Sequence, residues 1–457
     1  MALHLANSHP AWYLLKGRLE AVCEPSYPRS SEGLRDLIRD IYVLFLGTDS
    51  ASKFDDIPRM LSAMPREVTE QFTRDTIPLM CFHIVQDLPL LFPDTNGQLP
   101  CLAQNRELAV SFTPADTYIL VSLSFLCIPL IRADGSPAMR DSTFQFFYSN
   151  RPHMIGKLHC IVNYLNVMAS ARSGAFPKNL SRSLLDRRIT IQRIVATTIH
   201  GAEWWAESAY TACDVEIKGN FERIESCQDA VQADFANKHI GGGVLRKGCV
   251  QEEIRFVVSP ECLISVLVCE SLGPHEAIII RNTVQFNNYE GYSVSFKCRG
   301  FSQGLVDFFH DSSENPKPLR TDDILCIDAI PFGNTPDDQF EVSYIVRELE
   351  KCRVGLSFPD TKPFATGNWG CGVFGGDTQL KAVIQWLACC VAGRKMIFHP
   401  FEDKETSRLN ELVSMAFIDG LTTGQLFQFI LKGLLDSAIR PKSCIEYLIK
   451  QIISSRR

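Results

Sequence analysis

The sequence predicts an α/β protein, a mixed sheet flanked by helices with a helical segment ahead of it, on three observations. Residues 1–170 carry the apolar spacing of helices. Beyond about residue 190 the texture changes to short β-rich runs alternating with helices, the pattern of a sheet covered by helices. Between them, Ser170–Arg188 has Ser-Gly and Phe-Pro steps and clustered charges, which mark a boundary. The expected division is a helical accessory domain over 1–190 and a sheet-bearing domain over 191–457.

In the first part, Leu34, Leu37, Ile38, Ile41, Leu44 and Phe45 fall on one face of an amphipathic helix. Thr113–Leu130 opens with Thr113 as cap and Pro114 in the first turn, then turns apolar all round, as a buried helix does. In the second part, strands are expected at Cys213–Ile217, Val231–Ala236, Ala277–Arg281, Tyr292–Cys298, Ile324–Ile330 and Lys395–His399. Helices are expected at Pro260–Ser271, Asp338–Arg353, Asp377–Val391 and Lys404–Ile418. The helix after Asp377 is the best defined: Asp377 caps it, and Leu380, Val383, Ile384, Leu387 and Val391 line one face.

Composition narrows the classes of function. Of 457 residues 46% are hydrophobic and 21% charged, ordinary globular values. A net charge of −6 makes the chain no general trap for polyanions, so a nucleic-acid-like ligand has to be held by local geometry. Seventeen cysteines are spread from Cys23 to Cys444 without a CxxC pair, which reads as buried thiols in a reducing compartment. The N-terminus lacks a basic region followed by an apolar core, and the longest apolar run, Tyr118–Ile131, is 14 residues. That is short of the ~20 a membrane span needs. The histidines show no metal-ligand spacing, and neither a metal nor a cofactor is expected.

Ligands of such sheets bind on loops after the carboxyl ends of strands. Two glycine-rich loops qualify: Gly241-Gly242-Gly243 after the strand at 231–236, and Asn368 to Gly376 before the Asp377 helix. Glycines let main-chain N–H groups approach a phosphate, and a following helix adds the positive end of its dipole. Neither loop has the P-loop or dinucleotide spacing. With seven residues between, Gly243 is followed by Gln251-Glu252-Glu253. Adjacent carboxylates are usually a solvated helix start, but these follow a glycine loop and precede an apolar run. A carboxyl beside a bound diphosphate stays protonated nearer neutrality, the state a general acid needs. Glycosidases ordinarily set two carboxyls ~5–5.5 Å or ~6.5–9.5 Å apart across the sugar. Sequence neighbours do not straddle a ring that way, so one of them is expected to move the proton while the other holds hydroxyls. Tyr289, Tyr292, Phe374 and Phe401 are aromatics near loops, and a nucleotide would use such a face for its base.

Together these residues resemble the poly(ADP-ribose) glycohydrolase family. The matching segments are Asp234-Phe235-Ala236-Asn237, Gly241–Gly243, Gln251-Glu252-Glu253, Tyr289-Glu290-Gly291-Tyr292 and Ala365–Asp377. The resemblance runs through residues 200–420 and implies a macrodomain-like fold with the helical domain packed on its N-terminal side. It implies hydrolysis of ribose–ribose O-glycosidic bonds of poly(ADP-ribose), mainly from the free end, with release of ADP-ribose. Glu253 would protonate the departing ribose 2′-oxygen, leaving an oxocarbenium-like sugar for water. Glu252 and Asn237 would hold ribose hydroxyls and Asp234 would support the loop. Gly241, Gly242 and Gly243, with Asn368, Gly372, Val373, Phe374 and Gly375, would cradle the diphosphate. Phe401 would stack on adenine, Tyr292 would close over the ligand beside Gln251, and Ile224 and Glu225 would meet the adenine edge.

The implied partners are poly(ADP-ribose) on modified proteins and its product ADP-ribose, with no direct DNA binding, no membrane and a monomeric chain. A place in the DNA damage response, in nucleus or cytoplasm, goes with them. The alternative is a non-catalytic macrodomain module that reads ADP-ribose without cutting it, since one fold hosts both activities. The intact Gln-Glu-Glu triplet, which a reader does not need, separates the two.

Overall fold

The structure is a computed structural model that describes every residue except 1–2, 48–50, 96, 139–141, 220, 311–317 and 457. Eight short runs rich in β-branched and aliphatic residues build its central sheet. They are β1 Leu108–Phe112, β2 Ile189–Val195, β3 Val215–Ile217, β4 Val231–Ala236, β5 Glu276–Thr283, β6 Asp322–Asp328, β7 Phe364–Gly367 and β8 Met396–His399. Their spatial order is β1-β2-β5-β6-β4-β7-β8-β3. Neighbours from β6 to β3 run parallel, and β1, β2 and β5 add antiparallel pairings on the other side. The sheet is therefore mixed. Every residue of β6 is buried, as expected of a central strand covered on both faces.

Side-chain alternation sorts the sheet into two cores. Ile278, Ile280, Ile324 and Cys326 join one core with the N-terminal helices, whereas Ala277, Ile279, Leu325 and Ile327 join the other. The first core holds the long helix α1 Pro152–Ser173 and the short α2 Gln251–Val258. The second holds α3 Val342–Gly355, α4 Thr378–Ala392 and the C-terminal helices Leu409–Ile418, Thr423–Leu435 and Cys444–Ser455. Helices thus cover both faces, the fold class read from the sequence. Among the described residues no helix is long and apolar enough to cross a membrane.

The caps expected from sequence are present. Thr113 and Asp116 form a reciprocal capping box at Pro114–Phe125, and Asp377 Oδ1 accepts from Leu380 N at 2.9 Å. Other bounds shift. The buried helix ends at Phe125 rather than Leu130, with Cys127 at φ +56°. The helix expected over Pro260–Ser271 is a 3₁₀ turn at Pro260–Cys262 followed by Leu263–Val268, and the one expected from Lys404 begins at Leu409.

The strand expected at Tyr292–Cys298 is not one. Tyr292 opens a 3₁₀ turn, Ser293–Ser295, and Lys297–Phe301 pairs antiparallel with Asn287–Glu290 in a separate hairpin. Gly291 at φ +74° and the Tyr292 N–H bonded to Ser295 Oγ at 3.0 Å reverse the chain there. The sequence reading also missed β1, β2 and β7.

Candidate active site

A cavity of about 350 Å³ opens at the carboxyl ends of the parallel strands β4, β6, β7 and β8. Ala236, Ala329, Gly367 and His399 mark those ends on its wall. Gln251 comes from α2, Asn368 to Phe374 from the second glycine loop, and Ile224, Glu225, Tyr289, Tyr292 and Phe401 complete it. Ten of the residues singled out from sequence therefore meet on one wall. Asn237, Gly241–Gly243, Glu252, Glu253 and Gly375 are not part of the wall, and Asp234 is wholly buried.

The carboxylate pair is far from a solvated helix start: Glu252 is 3% exposed and Glu253 6%. Both are held by main-chain N–H groups. Glu252 accepts from Asn237 N at 3.0 Å and Gly241 N at 2.7 Å. Glu253 accepts from Gly243 N at 2.8 Å and, in half of a capping box, from Val250 N at 2.8 Å. Gln251 straps the same corner, accepting from Phe235 N and donating to Ala233 O. The glycines serve this closeness. A Cβ on Gly242 would lie 2.5 Å from Glu252 Oε2 and 2.7 Å from Glu253 Oε1, and Gly242 sits at φ +51°, where side chains are disfavoured.

Burial pushes the Glu252 carboxyl well above the usual carboxylate range. The neighbouring Asp234 adds to this, and the N–H groups of Asn237 and Gly241 oppose it. Asp234, on β4 beside Cys326 of β6, is pushed to about 7, chiefly by burial. The thiol of Cys326 beside it is the first influence opposing this rise. Arg255, buried on α2 and bonded to Asp322 at 3.1 Å, opposes it too.

The second loop differs in what its N–H groups do. The donors of Gly241, Gly242 and Gly243 go to Glu252, His239 O and Glu253. Those of Gly372, Val373 and Phe374 have no protein acceptor among the described residues. The loop is folded on itself by Cys371 N to Asn368 O, Gly375 N to Gly372 O and Gly376 N to Gly370 O. Trp369 anchors it by donating to Ile327 O at 2.9 Å. The helix dipole expected to help here meets the buried Asp377 carboxylate, which already occupies the N-terminus of α4.

Around the rim, Phe401 is 51% exposed at φ +53° and Tyr292 is 46% exposed. Tyr289 is mostly buried, donates to Glu225 Oε1 at 3.1 Å and carries the Arg223 guanidinium 3.9 Å from its ring centre. His399 is fixed between Glu222 O at 2.9 Å and Cys227 Sγ at 3.2 Å. Sequence reasoning missed Val250, Thr378 and His399 on the wall, because nothing in their local pattern distinguishes them from packing residues. Among the described residues no group of three or more His, Cys, Asp or Glu is placed to hold a metal ion.

Residues 202–408 match the family model described as Poly (ADP-ribose) glycohydrolase, Macro domain fold, and residues 64–180 match the helical domain of the same family. Together the two matches span well over half of the chain. Among curated proteins, Poly(ADP-ribose) glycohydrolase 1 of Caenorhabditis elegans is 36% identical over 220 residues, covering 45% of this chain and 28% of that protein. Poly(ADP-ribose) glycohydrolase 2 of the same organism is 34% identical over 216 residues, covering 45% and 44%. The Probable poly(ADP-ribose) glycohydrolase 2 of Arabidopsis thaliana is 28% identical over 269 residues, covering 50% and 50%. The matched part of the chain spans half or less of these relatives' length. A crystal structure of poly(ADP-ribose) glycohydrolase from Deinococcus radiodurans in complex with ADP-ribose aligns at a TM-score of 0.28 and 13% identity, covering 55% of this chain and 96% of that one. The chain belongs to the poly(ADP-ribose) glycohydrolase family.

Proposed function

We propose that this family member hydrolyses the ribose–ribose O-glycosidic bonds of poly(ADP-ribose) and releases ADP-ribose, with Glu253 as general acid. One observation carries the reading: two buried carboxylates, gripped by four main-chain N–H groups, stand on the helix whose first residue, Gln251, lines the cavity. An acid held so rigidly spends little reorganisation on reaching its proton-transfer geometry. Each Glu253 oxygen accepts one N–H and keeps capacity for a proton or a second partner.

In the proposed reaction, Glu253 gives its proton to the departing 2′-oxygen as the glycosidic bond breaks. The positive charge that builds on the sugar is met by water, whose proton returns to Glu253. Glu252 and Asn237 hold ribose hydroxyls, and Asp234 supports them from beneath. The diphosphate rests on the open N–H groups of Gly372, Val373 and Phe374 beside Asn368, with Gly375 and the Gly241–Gly243 turn shaping the site without donating to it. Adenine lies against Phe401, its edge toward Ile224 and Glu225, with Tyr292 closing over the ligand.

Residues 191–457 form the catalytic part and 1–190 the helical accessory part. Polymer on modified proteins is the substrate of a single chain, with neither DNA nor membrane as partner, and the net charge of −6 suits that. Seventeen free cysteines suit the nucleus or cytoplasm, and a role in the DNA damage response goes with that placement.

Glu253→Gln tests the mechanism, since it keeps shape and removes the proton. Release of ADP-ribose from labelled polymer should fall ~10²–10⁴-fold while ADP-ribose still binds. Near-normal turnover would refute the assignment. Wild-type protein that binds ADP-ribose and releases none from polymer would make the chain a reader instead.

A further inference from the structure

The loop that joins the glycine run to the carboxylate pair is gripped from the helical layer. Lys157, on α1, is fully buried, and its ammonium donates to the main-chain carbonyls of Val244 at 2.8 Å, Arg246 at 2.8 Å and Gly248 at 2.6 Å. Three donors meet three acceptors, so nothing is left over for a ligand. The same loop is held from its other side by Glu253, through the N–H groups of Gly243 and Val250. A cation takes its carbonyls and a carboxylate takes its N–H groups.

Further contacts involve the turn just ahead of α1 and α1 itself. The Arg246 guanidinium lies 5.4 Å from the Phe146 ring centre, and the Lys157 ammonium lies 5.0 Å from that of Phe147. His153, one turn before Lys157 on α1, meets the Lys247 main chain. An isolated ammonium in a dry interior is costly, and this one is met by carbonyl dipoles in place of a carboxylate partner. Burial draws Lys157 down to about 8, against the opposing pull of Cys249 and Glu253. A buried cation that serves only to shape one loop points to what that loop carries.

We propose that Lys157 is a positioning residue: its ammonium sets the path of residues 244–250 and thereby the place of the Glu253 carboxylate. The inference rests on reading Glu253 as the acid. It makes the helical part a structural contributor to the reaction, because the catalytic part lacks this clamp without it.

Lys157→Met, which keeps the stem and removes the charge and donors, tests this. Three readouts are ADP-ribose release from poly(ADP-ribose), ADP-ribose affinity by calorimetry, and hydrogen exchange of the amides over 241–250. The expected result is a kcat lower by ~10–10²-fold with KM and affinity within about threefold. The Gly243 and Val250 amides should lose protection while β4 and β6 keep theirs. Lys157→Gln, whose amide retains two donors, should fall between Met and wild type.

A folded Met variant with wild-type kcat overturns the proposal. So does loss of protection spread evenly over the protein, and so does failure of both variants to fold, since each would make Lys157 a general packing residue. The exchange readout needs no turnover. It therefore decides the role of Lys157 even where wild-type protein releases no ADP-ribose, a result that counts against the glycohydrolase reading alone.

Discussion

Replacing Gly248 by Ala moves the Glu253 carboxylate without touching it. Gly248 does not have a positive φ, so alanine meets no backbone strain there. Its Cβ, however, would stand 2.7 Å from Glu253 Oε1, 2.8 Å from Glu253 Cδ and 2.8 Å from Gly243 Cα. Ordinary contact begins at 3.4 Å, so the carboxylate has to withdraw by roughly 0.7 Å. Its bonds to Gly243 N and Val250 N, both 2.8 Å, then stretch past the ~3.2 Å at which such bonds are normally made. Overpacking of this kind costs ~1–3 kcal/mol of stability. Misplacement by about 1 Å of a group that takes part in chemistry costs ~10²-fold in rate. The expected outcome is kcat for ADP-ribose release lower by ~10²-fold, a denaturant midpoint shifted by that modest stability loss, and ADP-ribose affinity within a few fold. Gly201→Ala, with nothing within 4 Å of its Cβ, is the control and should stay within ~0.5 kcal/mol of wild type. A folded Gly248→Ala protein with kcat within about threefold of wild type would refute the reasoning, because the carboxylate's position would then not matter.

Two further outcomes follow from the same geometry. Phe401→Gly removes a half-exposed ring from a position at φ +53°, so stability should hold or rise by up to ~1 kcal/mol while ADP-ribose affinity weakens by ~1–3 kcal/mol; calorimetry beside a melt checks both. Asp234 is an acid whose folded pKa, about 7, lies above the unfolded value of ~3.9, so the folded state holds its proton longer and ionisation works against folding as pH rises between the two. Asp234→Asn should therefore gain stability relative to wild type across that window and gain no more above it, and denaturant melts at pH 4, 6 and 8 showing a constant difference would contradict this.

Local features were legible in the sequence. The α4 cap is visible because Asp377 and Leu380 are three residues apart, and β4 because Val231–Ala236 alternates apolar and polar residues over a short stretch. The glycine run and the Gln251-Glu252-Glu253 triplet are separated by seven residues, so their spacing survives as a pattern. Features closed over long separations were not. Lys157 reaches acceptors some ninety positions away, and within α1 it reads as one polar residue in a buried helix. β2 begins directly after the boundary region, β7 has four residues, and the Tyr292 turn hides in a run of strand-forming residues. Only pairing partners distinguish such segments from their alternatives. The glycines show the same limit: their missing Cβ atoms announce a close approach, but the sequence does not say which atoms approach.

Those atoms turn out to belong to the protein at the first loop and to remain unassigned at the second. With the Gly241–Gly243 donors committed to Glu252, His239 O and Glu253, the first loop spends its positive N–H dipoles on carboxylates. The uncommitted donors at Gly372, Val373 and Phe374, together with the unpartnered Oδ1 of Asn368, belong to residues that line the cavity. On the proposed reading a diphosphate there would meet N–H groups with no protein acceptor to give up, whereas at the first loop it would have to displace two buried carboxylates and leave them unsatisfied. The same division separates like charges, since the anion then rests on a different loop from the acid pair. The two glycine clusters thus share a residue type for different physical ends. One makes room for carboxylates held by main-chain donors, and the other leaves its donors without a protein acceptor among the described residues, which is what supports the proposed anion seat.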